Sequence, residues 1–266
     1  MRISSTDNPI YRRLKQLATS ARACREARHT LIEGVHLLQT ALAAQVPLRT
    51  LVIRGAEQSA EAVEVIRAAE ATSKAKLIEL APVLYDKISP VEHGVGVLAE
   101  IEFEMPPWPK QFVEDAIYLD NVQDPGNVGT LLRTAAAAGV RHAIAGPGCA
   151  FLWSPKGMRA AMGAHFVLDL HEQPSVPLLG ETFVGEILAA DATDGEDLFD
   201  AEWGQQATLW LFGSEGQGAE AEALAIADRL LRIKINSQIE SLNVGAAAAV
   251  CLFEQKRRRS QRAAKG

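Results

Sequence analysis

The stretch LDNVQDPGNVGTLLRTAAAAGV (119–140) contains a strand that ends in a polar Asp-Pro-Gly-Asn turn and leads into a helix. Asn127 is well placed to cap the start of this helix, and Gly139 to close its end. Gly129 permits a close backbone approach, and Arg133 falls about one and a half turns into the helix. The same pattern also fits an ordinary capped helix with a surface arginine, so by itself it does not assign a function.

Strand-like and helix-like segments alternate on both sides of this stretch. In the second part of the chain, apolar runs predict strands near residues 116–120, 142–145, 187–192, 208–212 and 230–235, with helices between them. This alternation predicts an α/β fold in which helices cover both faces of a parallel sheet. In the first part, strands near 51–53, 77–78 and 95–98 and helical spacing over 34–44 and 59–71 predict a smaller α/β domain. The segment EFEMPPWPKQF (102–112) has three prolines in four residues and predicts a linker.

Two further loops of the second part also follow predicted strands. LFGSEGQG (211–218) is rich in glycine, which at the carboxyl edge of a sheet lets backbone amides reach a ligand. It matches neither the G-x-G-x-x-G pattern nor the P-loop, so it indicates neither dinucleotides nor triphosphates specifically. INSQIESLNVGAAAAVCLFEQKRRR (235–259) is a polar loop that enters an alanine-rich helix, whose small residues fit tight core packing equally well.

Charge is unevenly distributed along the chain. The formal net charge is −6, yet residues 1–30 carry +5 and residues 255–266 carry +6, which leaves −17 for residues 31–254. Basic ends on an acidic body fit an RNA partner, because phosphate neutralisation needs a local basic surface rather than a basic average. Two solubilising, partly disordered tails would explain the same distribution, and charge alone does not decide between them.

Composition disfavours several other classes of protein. No apolar run approaches the roughly 20 residues that span a bilayer, and the polar N-terminus lacks the apolar core of a secretory signal. We therefore expect a cytoplasmic protein with no membrane partner. Three widely spaced cysteines and six histidines without an i, i+4 pair indicate neither a disulfide framework nor a metal site. Asp191 and Asp194 fit a turn at a strand end better than a catalytic pair.

Together, the three loops resemble the SpoU (TrmH-type) RNA 2′-O-ribose methyltransferases of the SPOUT superfamily. The first loop matches the N-x-G-x-x-x-R signature of that family at Asn127, Gly129 and Arg133. The second matches its G-S-E-G motif (213–216) and the third its E-S-L-N-V motif (240–244), in the family's order. The resemblance implies a C-terminal SPOUT domain with a deep trefoil knot and S-adenosylmethionine as cofactor.

The resemblance also implies roles for individual residues. Those implied for the cofactor site are Gly213, Glu215, Gly216, Ile235, Leu242 and Asn243. Those implied for catalysis are Arg133, Asn127, Glu215, Ser241 and Asn243. Arg133 would contact the nucleotide that is methylated, as a general base or as a phosphate clamp that orients the hydroxyl. We prefer the clamp because an arginine stays protonated in proteins, but the sequence leaves both roles open.

The chain departs from the family pattern near the third loop. Lys234 and Ser237 stand where the family usually has proline and glycine, and Gly245 stands where serine is frequent. We expect these differences to change the fine shape of the cofactor loop more than the reaction.

The resemblance extends to the first part of the chain, where NPIYRRLKQL and LIEGVHLL are similar to a small RNA-substrate-binding domain. We therefore predict this domain over residues 1–103, a linker over 104–112, a methyltransferase domain over 113–260 and a basic tail over 261–266. We expect segment 1–30 to supply RNA affinity, and the resemblance implies a homodimer formed partly through the alanine-rich helix. Ribosomal RNA is the expected substrate. A transfer RNA substrate, or a noncatalytic ribosome-assembly factor that binds RNA, remains an alternative.

Overall fold

The structure is a computed structural model that describes residues 1–89, 91, 94–191, 195–214 and 216–264. The chain divides into two compact units, Met1–Glu104 with Trp153–Phe166, and Met105–Leu152 with Val167–Gly266. Residues 153–166 therefore group with the first unit, although they fall inside the range 113–260 predicted for the second domain. Among the described residues, no helix is both long and apolar enough to cross a bilayer.

The elements alternate along the chain as strands and helices. The strands are β1 (Arg2–Ile3), β2 (His29–Glu33), β3 (Leu48–Arg54), β4 (Lys76–Leu80), β5 (Val97–Glu102), β6 (Ala116–Leu119), β7 (His142–Ala145), β8 (Asp169–Glu172), β9 (Glu186–Ala190), β10 (Glu196–Asp197), β11 (Thr208–Phe212) and β12 (Arg229–Arg232). The helices are α1 (Pro9–Thr19), α2 (Ala21–Ala27), α3 (Val35–Ala43), α4 (Ala60–Thr72), α5 (Pro82–Tyr85), α6 (Pro125–Ala138), α7 (Pro155–Ala161), α8 (Val176–Thr182), α9 (Ala221–Leu224) and α10 (Val244–Ala263).

The first unit is built on a mixed five-stranded sheet in the order β1-β4-β3-β5-β2. β1, β4 and β3 are parallel, whereas β5 runs antiparallel to both β3 and β2. Thr30 of β2 donates a hydrogen bond to the carbonyl of Trp153, and the Trp153 ring stacks on Phe103 at a centroid distance of 4.6 Å. These contacts fix residues 153–166 to this unit.

Residues 1–30 are an integral part of the first unit. β1 pairs with β4, and α1 buries Tyr11, Leu14 and Leu17. Asn8 caps α1 by accepting a hydrogen bond from the backbone N–H of Ile10. The alternative that this segment is a partly disordered tail is wrong, because its apolar side chains are removed from water by packing in the core.

The second unit is built on a parallel seven-stranded sheet in the order β10-β12-β9-β11-β6-β7-β8. Tyr118 and Leu211 lie in a core cluster with side chains of α8 and α9. On the opposite face, Trp210 donates its indole N–H to Gln255 of α10 at 2.6 Å, and α10 packs on α6. The predicted parallel sheet with helices on both faces is therefore confirmed.

The ends of the second unit are tied to its core. Trp108 packs against the core cluster and Phe112 belongs to it, although both lie in the predicted linker. At the other end, α10 continues into the predicted basic tail. Its Arg259 pairs with Asp115, and its Arg258 donates to backbone carbonyls at 198, 199 and 201. Much of the C-terminal positive charge therefore holds α10 in place.

The helix of the opening stretch begins earlier than predicted. Asp124, and not Asn127, is its N-cap, because the Asp124 carboxylate accepts a hydrogen bond from the Asn127 N–H at 3.0 Å. Pro125 occupies the first helical position, where no N–H donor is needed. Arg133 consequently lies about two and a half turns into α6 rather than one and a half. The predicted helix end at Gly139 is confirmed.

Candidate functional site

The three loops identified in the sequence lie at the same edge of the parallel sheet. In the register of the sheet, Leu119 of β6 lies beside Phe212 of β11, and Ala190 of β9 lies beside Leu231 of β12. These four strands therefore end side by side. The loops after β6, β11 and β12 begin at this carboxyl edge. In parallel α/β sheets this edge is where ligands bind.

A cavity of about 370 Å³ opens between the second and third loops. Four of the predicted cofactor residues, Gly213, Gly216, Ile235 and Leu242, line it, as does Ser241. Glu215, predicted for both the cofactor site and catalysis, lies outside the described residues.

Two carboxylate side chains also belong to the wall of this cavity. Asp191 and Glu240 line it, together with the apolar side chains of Leu231 and Ile233. Among the described lining residues there is no lysine, arginine or histidine. Sequence reasoning assigned Asp191 to a turn. The position of Asp191 directly after a parallel strand is the sequence feature that could have identified it as a site residue. Asp194, which the sequence analysis considered together with Asp191, lies outside the described residues.

Gly213 shapes the loop that follows β11. Ser214 and Gly218 exchange two backbone hydrogen bonds, of 3.0 and 2.9 Å, which close the loop tightly. A Cβ atom on Gly213 would lie 1.9 Å from the backbone nitrogen of Ala219. Only glycine fits this position, so no side chain projects from the loop at residue 213.

The buried carboxylate of Asp120 fastens the first loop to the second. It accepts a hydrogen bond from the Glu220 N–H at 2.6 Å, while the Asp120 N–H donates to the carbonyl of Phe212. The Cys149 thiol adds support, since it donates to the Leu119 carbonyl and accepts from the Val122 N–H. Burial raises the pKa of Cys149 to about 11, so it remains a thiol at neutral pH and serves as a structural group.

Asn243 connects the first loop to the third. Its carboxamide oxygen caps α10 by accepting from the N–H groups of Gly245 and Ala246. Its nitrogen donates to the carboxamide oxygen of Asn127 at 3.1 Å. The structure thus brings Asn127 and Asn243 together. The Asn127 amide nitrogen has no acceptor in the described part of the chain, so it is available as a donor.

Arg133 is exposed on α6 and does not line the cavity. Within the described ranges its guanidinium has neither a carboxylate partner nor a hydrogen-bond acceptor. Several other cations of this unit are paired, such as Arg141 with Asp169 and Arg229 with Glu196. Arg133 is therefore open to an external anion.

A second cavity, of about 400 Å³, lies beside the first. Ser214, Gly216 and Gln217 line both cavities. The rest of its described wall comes from the first loop: Asn121, Val122, Gln123, Asp124 and Asn127. Sequence reasoning missed Gln123 and Gln217, although both fall within motif loops.

The departures from the family pattern have local consequences. The Lys234 ammonium lies 2.7 Å from Asp197, and this hydrogen bond raises the pKa of Lys234 and lowers that of Asp197. The pair links the residue just before the third loop to β10. At Gly245 a Cβ atom would lie 2.6 Å from Cγ2 of Thr130, so glycine permits the close approach of α10 to α6.

Comparisons with known proteins agree with this geometry. Residues 115–253 match the model of the SpoU rRNA Methylase family, and residues 8–99 match that of the MRM3-like substrate binding domain. No group of three or more potential metal ligands occurs among the described residues.

Three similar proteins cover different parts of the chain. An uncharacterised tRNA/rRNA methyltransferase of Synechocystis sp. is 32% identical over 96% of this chain and 93% of its own. A 23S rRNA guanosine 2′-O-methyltransferase of Bacillus subtilis is 33% identical over 52% of this chain and 56% of its own. The crystal structure of the SpoU methyltransferase AviRb from Streptomyces viridochromogenes, in complex with the cofactor AdoMet, superposes with a TM-score of 0.81. It is 25% identical and matches 95% of this chain and 98% of its own.

Proposed function

Because the chain belongs to the SpoU rRNA methylase family, we propose that it transfers a methyl group from S-adenosylmethionine to a ribose 2′-hydroxyl of ribosomal RNA. The observation that carries this proposal is the cavity at the carboxyl edge of the second sheet, lined by Gly213, Gly216 and other described residues of the second loop and by residues of the third loop. A second, polar cavity shares part of its wall, which suits a reaction between two bound substrates.

The first cavity fits the cofactor in both polarity and charge. Apolar side chains such as Leu231, Ile235 and Leu242 suit the adenine ring. The carboxylates of Asp191 and Glu240 favour a ligand that carries a sulfonium and an ammonium group, because opposite charges attract strongly where water is partly excluded. When bound, S-adenosylmethionine supplies an activated methyl group, so the protein has to position and stabilise rather than activate.

We assign the chain's own residues as follows. The cofactor is held by Gly213, Glu215, Gly216, Ile235, Leu242 and Asn243. The catalytic group consists of Arg133, Asn127, Glu215, Ser241 and Asn243. The free Asn127 amide donates to a ribose oxygen, and Arg133 clamps a neighbouring phosphate and stabilises the developing alkoxide. A permanently protonated guanidinium suits a clamp better than a base.

We further propose that the first unit captures RNA. Its match to the MRM3-like substrate binding domain supports this role, as do the exposed cations Lys15 and Arg28, which have no charged partner among the described residues. We propose residues 1–103 as the RNA-binding domain and residues 113–260 as the methyltransferase domain, although residues 153–166 pack on the first unit. We expect the protein to act in the cytoplasm, where ribosomal RNA is accessible.

A homodimer is the assembly that we propose. The face of α10 that points away from the sheet carries Ala246, Val250 and Phe253, and Phe253 is 46% exposed. A second copy of the chain would cover this apolar face.

The direct test is methyl transfer in vitro. Ribosomal RNA from cells that lack this gene is incubated with the protein and labelled S-adenosylmethionine, digested to nucleosides and analysed by mass spectrometry. We expect a 2′-O-methylated nucleoside. A base-methylated product, or no product together with no cofactor binding by calorimetry, would overturn the proposal. Transfer RNA in a parallel reaction tests the alternative substrate.

A further inference from the structure

The second cavity lies against the same loop as the cofactor cavity. Ser214, Gly216 and Gln217 contribute to the walls of both cavities, so the two cavities adjoin at this loop. Its volume of about 400 Å³ falls within the usual size of sites for small molecules. The cavity is therefore suitably placed for the group that receives the methyl.

The chemistry of the wall indicates which part of a nucleotide it suits. Four carboxamide side chains line it, those of Asn121, Gln123, Asn127 and Gln217, and one carboxylate, that of Asp124. No lysine or arginine occurs among its described lining residues, so the wall is unsuited to a phosphate. A carboxamide offers a donor and an acceptor side by side, which is the pattern that reads the polar edge of a base.

Some of these carboxamide groups already have hydrogen-bond partners within the protein, whereas others are available to a ligand. Asn121 accepts from the Gln123 amide at 3.1 Å and donates to Glu220 at 3.4 Å, so both ends of its side chain are engaged. The Asn127 oxygen is occupied by Asn243. By contrast, the carboxamide oxygen of Gln123 and the whole carboxamide of Gln217 have no partner within the described part of the chain, and both side chains are exposed.

We propose that this cavity binds the base of the target nucleotide and that Gln123 and Gln217 read its polar edge. The inference rests on the proposed function and adds specificity-determining residues to it. It requires an unstacked nucleotide, because a base inside a helix cannot present its edge to a pocket. Arg133, outside the cavity, then acts on the phosphate while the carboxamides act on the base.

The test compares leucine variants on two RNAs. Gln123→Leu and Gln217→Leu keep a similar side-chain size but remove the hydrogen-bonding groups. Gln205→Leu is the matched control, since Gln205 is exposed on the opposite edge of the sheet, shortly before β11. The probes are a transcript that contains the mapped target nucleotide and the same transcript with an abasic ribose at that position.

On the transcript with the intact base, we expect each of the two variants to lower kcat/KM roughly tenfold or more, which is the size of one lost base contact. On the abasic transcript, the variants should match the wild type within about twofold, because the base that they contact is already absent. Cofactor affinity by calorimetry should be unchanged in all variants, and the Gln205→Leu control should behave as wild type on both RNAs.

Two results would overturn the inference alone: wild-type kcat/KM for both variants on the intact transcript, or an equal loss on the intact and abasic transcripts. The second would indicate a structural role for these glutamines. A wild-type chain that transfers no methyl group would instead overturn the proposed function, and this inference with it.

Discussion

Arg133 combines exposure with the absence of any described partner, in a unit where Arg141, Arg229 and Arg259 are all paired. An unpaired cation at this position of α6 contributes nothing evident to stability. Its position on α6, beyond the helix start that contains Asn127, fits a group that acts on a bound nucleotide.

We predict that Arg133→Ala leaves the fold and the affinity for S-adenosylmethionine nearly unchanged. Single-turnover methyl transfer should fall on the order of a hundredfold, because one well-placed electrostatic group is lost. Arg133→Lys should recover little, since an ammonium cannot reproduce the planar fork of a guanidinium. Rapid-quench assays and calorimetry measure both quantities. A wild-type rate for Arg133→Ala would show that Arg133 is only a surface residue.

At the level of elements, the contact of α10 with α6 depends on Gly245. The Thr130 side chain that faces it is held by a hydrogen bond from its hydroxyl to the carbonyl of Gly126 at 2.9 Å. A methyl group at position 245 would therefore force Thr130 out of its rotamer.

We predict that Gly245→Ala destabilises the protein by about 1–2 kcal/mol through overpacking. Thr130→Ala should remove the clash, so the double variant should be more stable than the two single changes predict by addition. Urea unfolding of the four proteins measures this coupling. Additive effects would mean that the two helices adjust freely at this contact.

The boundaries of individual elements were predicted with mixed success. The strands near 208–212 and 142–145 were placed correctly, because their apolar runs are buried on both faces. The cap of α6 was misassigned since Asp124 and Asn127 both suit an N-cap, although Pro125 marks the first helical position. β8 was missed because DLHE has a single strongly apolar residue and forms through pairing with β7.

At the scale of the whole molecule, sequence patterns located the motifs but not the packing of the chain between them. The sequence predicts that each of the three loops follows a strand, and the strand order of the folded sheet brings the loops to one edge. The grouping of 153–166 with the first unit depends on the stacking of Trp153 on Phe103, which is a tertiary contact without a periodic signal. Gln123 and Gln217 line one cavity only because the fold brings the first and second loops together.

We predict that RNA affinity depends on exposed cations of the first thirty residues. Deleting the segment would remove β1 and α1 and so unfold the unit, which makes neutralisation the sharper test. Replacing Arg12, Lys15 and Arg28 with glutamine should reduce the slope of log affinity against log salt by about 2, given about 0.7 per phosphate contact. Neutralising Arg67, Lys74 and Lys76 is the control. Equal slopes in both triple variants would contradict the assignment.

We predict that the full chain sediments as a dimer at micromolar concentration and that Phe253→Asp shifts it to monomer. A buried charge in an apolar interface is strongly unfavourable. Phe199→Asp is the matched control, because Phe199 is 52% exposed but lies outside α10. A wild-type chain that sediments as a monomer would contradict the proposed assembly.

We propose that this chain methylates one or a few ribose hydroxyls of ribosomal RNA, and this activity can be measured by mapping 2′-O-methylation across the ribosomal RNA of cells with and without the gene. We predict that methylation disappears at a defined nucleotide when the gene is deleted, returns with the wild-type gene, and does not return with the Arg133→Ala variant. Identical methylation maps in the two strains would show that the protein does not methylate ribosomal RNA at a ribose hydroxyl.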